Sequence, residues 1–196
     1  MTLIAIAPLR PQGGVMRIER PGRPYTLAEV DAADDAGSEW WEADRGALVV
    51  YAPPSFAHQS MVAGLMRAWL SALDPDDWRV LTGPQRVVLD DTTWAEPDLA
   101  IWPVRDSQIP PSAVPALVAA VISPSTATRD RTLKPGLYAA AGVRWLVLAD
   151  PEDLTVATFH LTRPGGVDPL SHTIGDGAVT CPLTWTPLVP SRLTRG

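Results

Sequence analysis

Apolar residues run without a break from position 116 to 122, and Ser123-Pro-Ser-Thr126 ends the run. A stretch of that length without alternation reads as a central strand covered on both faces. Behind it, residues 126–141 read as a helix that stops at Gly142, and 143–148 as another buried strand. Residues 154–161 alternate apolar and polar positions, the period of a strand with one wet face. Upstream, Met61, Leu65, Ala68 and Trp69 share one face of a helix that Ser55 caps after Pro53-Pro54 and that stops near Leu73-Asp-Pro. Thr26-Leu-Ala-Glu29 is a capping box and opens a short helix over 27–33. Residues 34–38 form a turn, and 40–51 read as two strands turning at Arg45-Gly46. Shorter strand signals lie at 78–81, 85–89 and 98–102. A Pro/Ser loop covers 105–114, and residues 162–196 carry short β pieces among prolines.

Strands interleaved with helices place the chain in the α/β or α+β class, with a mixed sheet. Residues 1–23 mix apolar residues with Pro and Gly and read as a loosely attached arm; residues 24–196 read as one domain. A chain of 196 residues suits a single core. Hydrophobic content of 46% with 19% charged residues fits a soluble globular protein. No run of eighteen apolar residues exists, so no membrane span is expected. The start, Met1-Thr-Leu-Ile-Ala-Ile-Ala-Pro8, lacks the basic residues of a secretory signal. Cys181 is alone, which excludes an intrachain disulfide and fits a reducing compartment; the expected location is the cytoplasm. Net charge is −6, so no protein-wide positive field draws in nucleic acid, although a local basic patch is compatible with an acidic whole. Fifteen arginines accompany a single lysine, Lys134. Codon bias in a GC-rich genome explains that skew; the sharper reading is that Lys134 does something a guanidinium cannot.

Candidate chemistry gathers around two blocks. In Trp94-Ala-Glu-Pro-Asp98, the carboxylates of Glu96 and Asp98 sit at i and i+2, a spacing that lets both face one hard divalent cation; a solvated strand edge is the competing explanation. Glu42, before the Arg45-Gly46 turn, is either a further acid at that site or the polar side of an edge strand. His58 lies in the first turn of its helix, where it can meet a phosphate or make a local hydrogen bond. Arg129, Arg131, Lys134 and Arg144 form either a phosphate-facing patch or a solvated helix face. Ser123 and Thr126 supply a turn and an N-cap. Pro135-Gly136 directly after Lys134 predicts a kink or restart of the helix there. His160 and His172 have no partner at metal-ligand spacing. The sequence contains no P-loop, Rossmann glycine pattern, Gly-x-Ser-x-Gly elbow or paired Cys-x-x-Cys.

In order along the chain, Glu42-Ala-Asp-Arg-Gly46, Pro53-Pro-Ser-Phe-Ala-His58-Gln and Glu96-Pro-Asp98-Leu-Ala-Ile are followed by Val121-Ile-Ser-Pro-Ser-Thr126, Lys134, Tyr138-Ala-Ala-Ala-Gly-Val143 and Asp150-Pro. Taken together these blocks resemble the Uma2 family of PD-(D/E)xK endonucleases, over roughly residues 24–161. The resemblance implies a restriction-endonuclease-like mixed central sheet flanked by helices, with extra β-hairpins at the N- and C-terminal ends. It implies a metal-dependent DNA endonuclease using Mg2+ or Mn2+. Asp98, Lys134 and Glu42 match the family's site positions, Asp98 and Glu96 being the metal candidates and His58, Arg129 and Arg131 the phosphate or DNA candidates. The strand glutamate of the family falls on Ala120, which has no ligand atom, and the family's Gly-Val-x-Glu-Tyr-Trp element reads Gly142-Val-Arg-Trp-Leu-Val. Two expectations follow: an endonuclease in which Glu96 or Glu42 replaces the missing acid, and a catalytically inactive relative serving as a DNA-binding or protein-assembly module. Eight tryptophans, if they expose apolar surface, favour a homodimer.

Overall fold

The apolar run at 116–122 becomes strand β8 (Leu117–Val121), every residue of it buried. Its neighbours in a six-stranded sheet are β7 (Leu99–Pro103) and β9 (Trp145–Asp150), and beyond them lie β4 (Trp78–Thr82), β10 (Thr155–Thr162) and β11 (Gly166–Ile174), in the order β11-β10-β9-β8-β7-β4. β8 and β9 run parallel; the remaining pairs are antiparallel. A parallel pair needs a long crossover. Helices α3 (Ala127–Thr132) and α4 (Lys134–Ala141) supply it. The computed structural model describes residues 16–18, 22–33, 41–51, 53–110, 113–163 and 165–195.

Alternation along the central strands assigns the two faces. Leu99, Ile101, Ala119 and Val121 point to one side and pack with Met61, Leu65 and Trp69 of helix α2 (Phe56–Leu70). Ala100, Val118 and Ala120 point to the other and pack with Leu137, Tyr138 and Ala139 of α4. Both faces are covered, which is why the strand lacks a polar period. Ser55 accepts the His58 N–H at 3.2 Å and caps α2 as the sequence indicates.

A second sheet of five strands has the order β1-β3-β2-β6-β5, from β1 (Met16–Ile18), β2 (Trp41–Asp44), β3 (Ala47–Val50), β5 (Val87–Asp90) and β6 (Thr93–Ala95). β2 and β3 form the expected hairpin, with Arg45 at φ 49° and Gly46 at φ 75°. Two consecutive positive φ values match the right-handed twist of a two-residue hairpin, and glycine takes that region at no steric cost. Helix α1 (Leu27–Ala33) carries the capping box: Glu29 N–H donates to Thr26 Oγ1 at 3.4 Å and Thr26 N–H to Glu29 Oε2 at 3.1 Å.

Several expectations need correction. The segment 126–141 is two helices rather than one, and the restart after Leu133 is the one expected from Pro135, which occupies the first turn of α4. Thr126 makes no side-chain cap to α3; its hydroxyl accepts the Ser123 N–H at 3.2 Å and closes the turn instead. The tail holds a nine-residue strand, β11, followed by β12 (Val179–Thr180), β13 (Pro187–Leu188) and α5 (Pro190–Leu193). Residues 1–15 of the expected arm, and the turn at 34–38, lie outside the described residues; β1 pairs antiparallel with β3. Apolar surface from tryptophan is small: Trp69 and Trp94 are buried, and among the described tryptophan side chains only Trp185 is largely exposed.

Candidate active site

Helix α4 lies between the two sheets, touching β5 and β6 of one and β10 and β11 of the other. Its first residue, Lys134, is buried, and its ammonium sits 2.8 Å from Glu42 Oε1 and 2.9 Å from Asp130 Oδ1. Glu42 is buried on β2 and its oxygens are crowded with donors. Oε1 also accepts the Glu96 N–H at 3.0 Å, while Oε2 accepts the Tyr51 hydroxyl and lies 3.6 Å from the Arg129 guanidinium. Arg129 Nε donates to the Tyr51 hydroxyl at 3.0 Å, and the Lys134 ammonium stands 5.2 Å from the Tyr51 ring centroid. Burial works against charge on Lys134, but Glu42 and Asp130 outweigh it and hold its pKa well above the ordinary lysine range. Burial pushes the Asp130 carboxyl up, Lys134 pulling the other way. It also pushes the Tyr51 and Tyr138 phenols up, so both stay neutral.

Asp98 stands just before β7. The first pair of β7 with β8 is Leu99↔Ala119, so Asp98 stands at the strand end where that ladder begins. Its carboxylate finishes the strand ladder: Oδ2 accepts the Val121 N–H at 2.7 Å, and Oδ1 is 3.3 Å from His58 Nε2. Burial opposes charge on His58, yet the hydrogen bond and charge of Asp98 raise its pKa above the ordinary value. Tyr138, from α4, brings its hydroxyl to the same region, where the charges of Lys134, Glu42, Asp130 and Asp98 all act on it. That hydroxyl is buried and has no hydrogen-bond partner.

Glu96 and Asp98 do not converge as their spacing suggests. Pro97 sits at the step between β6 and β7, and the two carboxylates leave it toward different partners. Glu96 accepts from Arg86 Nε at 3.1 Å, and Arg86 continues to Asp31 on α1. Burial raises the Glu96 pKa to about 7, and Arg86 only partly offsets it. The basic patch is likewise dispersed. Lys134 and Arg129 turn inward, and Arg131 pairs with Asp150 at 2.8 Å. Arg144 is exposed on its own loop. Asp130 went unrecognised in the sequence, although it precedes Lys134 by one helical turn.

A family model described as "Uma2: Putative restriction endonuclease" matches residues 27–183. The chain belongs to the Uma2 family. A solved structure described as a "putative nuclease belonging to DUF820 from Anabaena variabilis ATCC 29413" shares the fold, with a TM-score of 0.68 over 87% of this chain and 98% of the other at 18% identity. No curated protein matches. Among the described residues no helix is long and apolar enough to cross a membrane.

Membership of a restriction-endonuclease family implies a divalent metal, and the donors of this Uma2 chain do not fit one. Among the described residues no group of three or more His, Cys, Asp or Glu side chains is placed to hold a metal ion. Each nearby carboxylate already has a partner inside the protein: Glu42 and Asp130 have Lys134, Glu96 has Arg86, and Asp98 has His58 and the Val121 amide. Mg2+ depends on few charged protein ligands, so one missing carboxylate weakens such a site severely. Ala120, where the resemblance places the strand acid, is buried and offers only a methyl group.

Proposed function

We propose that this chain is a DNA-directed Uma2 nuclease-fold protein whose phosphodiester hydrolysis is impaired. Ala120 carries the reading, since it occupies the strand position where the resemblance expects the second metal-binding acid. Family membership and the shared fold support a nuclease ancestry. The charges of Asp98 and Lys134 both act on the buried Tyr138 hydroxyl, which supports a common origin with an active arrangement. The pairing of every nearby carboxylate within the chain supports impairment over substitution by Glu96 or Glu42. A member in this state retains DNA binding or assembly as its remaining role.

Nicking of supercoiled plasmid in Mg2+ and in Mn2+ tests the proposal, with wild type, Asp98→Ala, Ala120→Glu and the double variant compared. Wild type and Asp98→Ala are expected to show the same low background. Ala120→Glu is expected to gain divalent-dependent nicking that the double variant loses. Wild-type nicking abolished by Asp98→Ala would show an intact enzyme and overturn the proposal.

A further inference from the structure

We infer that Lys134 is a built-in counter-ion that bridges Glu42 and Asp130 and balances, from within the chain, the negative charge a divalent cation would otherwise meet. Three buried ionic side chains from three elements meet there: Glu42 on β2, Asp130 on α3 and Lys134 at the start of α4. The ammonium contacts both carboxylates, at 2.8 and 2.9 Å. The second oxygen of Glu42 is taken by the Tyr51 hydroxyl, and its first also receives the Glu96 N–H, so Glu42 has little left to offer an external ion. A compact ammonium suits this place, because it can direct donors to two carboxylates arriving from different elements, whereas a guanidinium presents a wide planar fork. That chemistry accounts for the one lysine in a chain that otherwise uses fifteen arginines. Lys134 is on this account a positioning residue that ties the five-stranded sheet to the crossover helices.

The consequence is asymmetric. Removing one member strands an uncompensated buried charge, while removing the three together leaves neutral side chains of similar shape, with the partly exposed Arg129 guanidinium the one charge beside them. Thermal melting of wild type, Lys134→Met and the triple variant Glu42→Gln/Asp130→Asn/Lys134→Met therefore tests the inference, each in EDTA and in millimolar Mg2+. Lys134→Met is expected to melt lower by on the order of 10 °C or not to fold, and the triple variant to recover most of that loss. Wild type is expected to melt at one temperature in both solutions. A Lys134→Met protein that melts with wild type would overturn the inference, as would a triple variant no better than the single. So would a wild-type rise in Mg2+ that Asp130→Asn removes. The melting outcomes do not depend on DNA, so a chain that neither binds nor nicks DNA would defeat the proposed function and leave this result standing.

Discussion

Two tyrosines beside the same charges should respond in opposite ways to loss of their hydroxyls. Tyr138 is buried and its hydroxyl has no partner. Burying an unpartnered hydroxyl costs about 1–3 kcal/mol, and the void left by one oxygen returns only a few tenths of that. Tyr138→Phe should stabilise the protein by about 1 kcal/mol or more. Tyr51 donates to Glu42 and accepts from Arg129 Nε at 3.0 Å. Hydrogen bonds to charged groups contribute about 1.5–3 kcal/mol each, and both go together in Tyr51→Phe. Phenylalanine keeps the ring, so the ammonium contact at 5.2 Å persists and does not enter the difference. Tyr51→Phe should therefore destabilise by about 3 kcal/mol, leaving the two variants about 4 kcal/mol apart. Urea unfolding at neutral pH measures this directly, provided the slope against urea is unchanged. Tyr138→Phe losing more than about 1 kcal/mol would mean that its hydroxyl has a partner and that the site is not internally settled.

Glu96 supplies a pH prediction. Burial raises its pKa from 4.5 to about 7 in the folded protein, so the native state binds this proton more tightly than the unfolded chain. Stability from that proton is complete below the unfolded value and is lost as pH rises through the folded one, at most about 3 kcal/mol across the window. Glu96→Gln should flatten this decline in urea unfolding at a series of pH values, and parallel curves would contradict it. Gly64 lies where α2 meets α5, and an added Cβ would fall 2.0 Å from the Leu193 carbonyl oxygen. Gly64→Ala should cost about 1–3 kcal/mol in thermal melting. Gly136, inside α4, has open space around that position. Gly136→Ala should instead stabilise by about 0.5–1 kcal/mol, and a matching loss at both positions would refute the packing argument.

What the sequence reveals follows from which interactions are local. Helix α2, its Ser55 cap, the Arg45-Gly46 hairpin and the buried strand β8 are written in neighbouring residues, and the structure has them. Strand β6 is three residues between turn-forming acids and a proline, too short for a period to show; it exists because β2 and β5 flank it. The apparent convergence of Glu96 and Asp98 failed because i and i+2 share a face only within one strand, and Pro97 marks the change from one sheet to the other. Asp130 was legible in principle, four residues before Lys134, but two adjacent arginines drew the segment toward a basic-patch reading. Tyr51 joins Glu42 through the return strand of the hairpin, a contact that spacing could suggest but not establish. The Uma2 blocks identified the family and the fold.

Calorimetric titration of Mn2+ into the wild-type protein addresses the central claim most directly, since it asks whether the site takes a divalent cation at all. The account predicts heats of dilution alone. One-to-one binding by wild type that Asp98→Ala abolishes would contradict it.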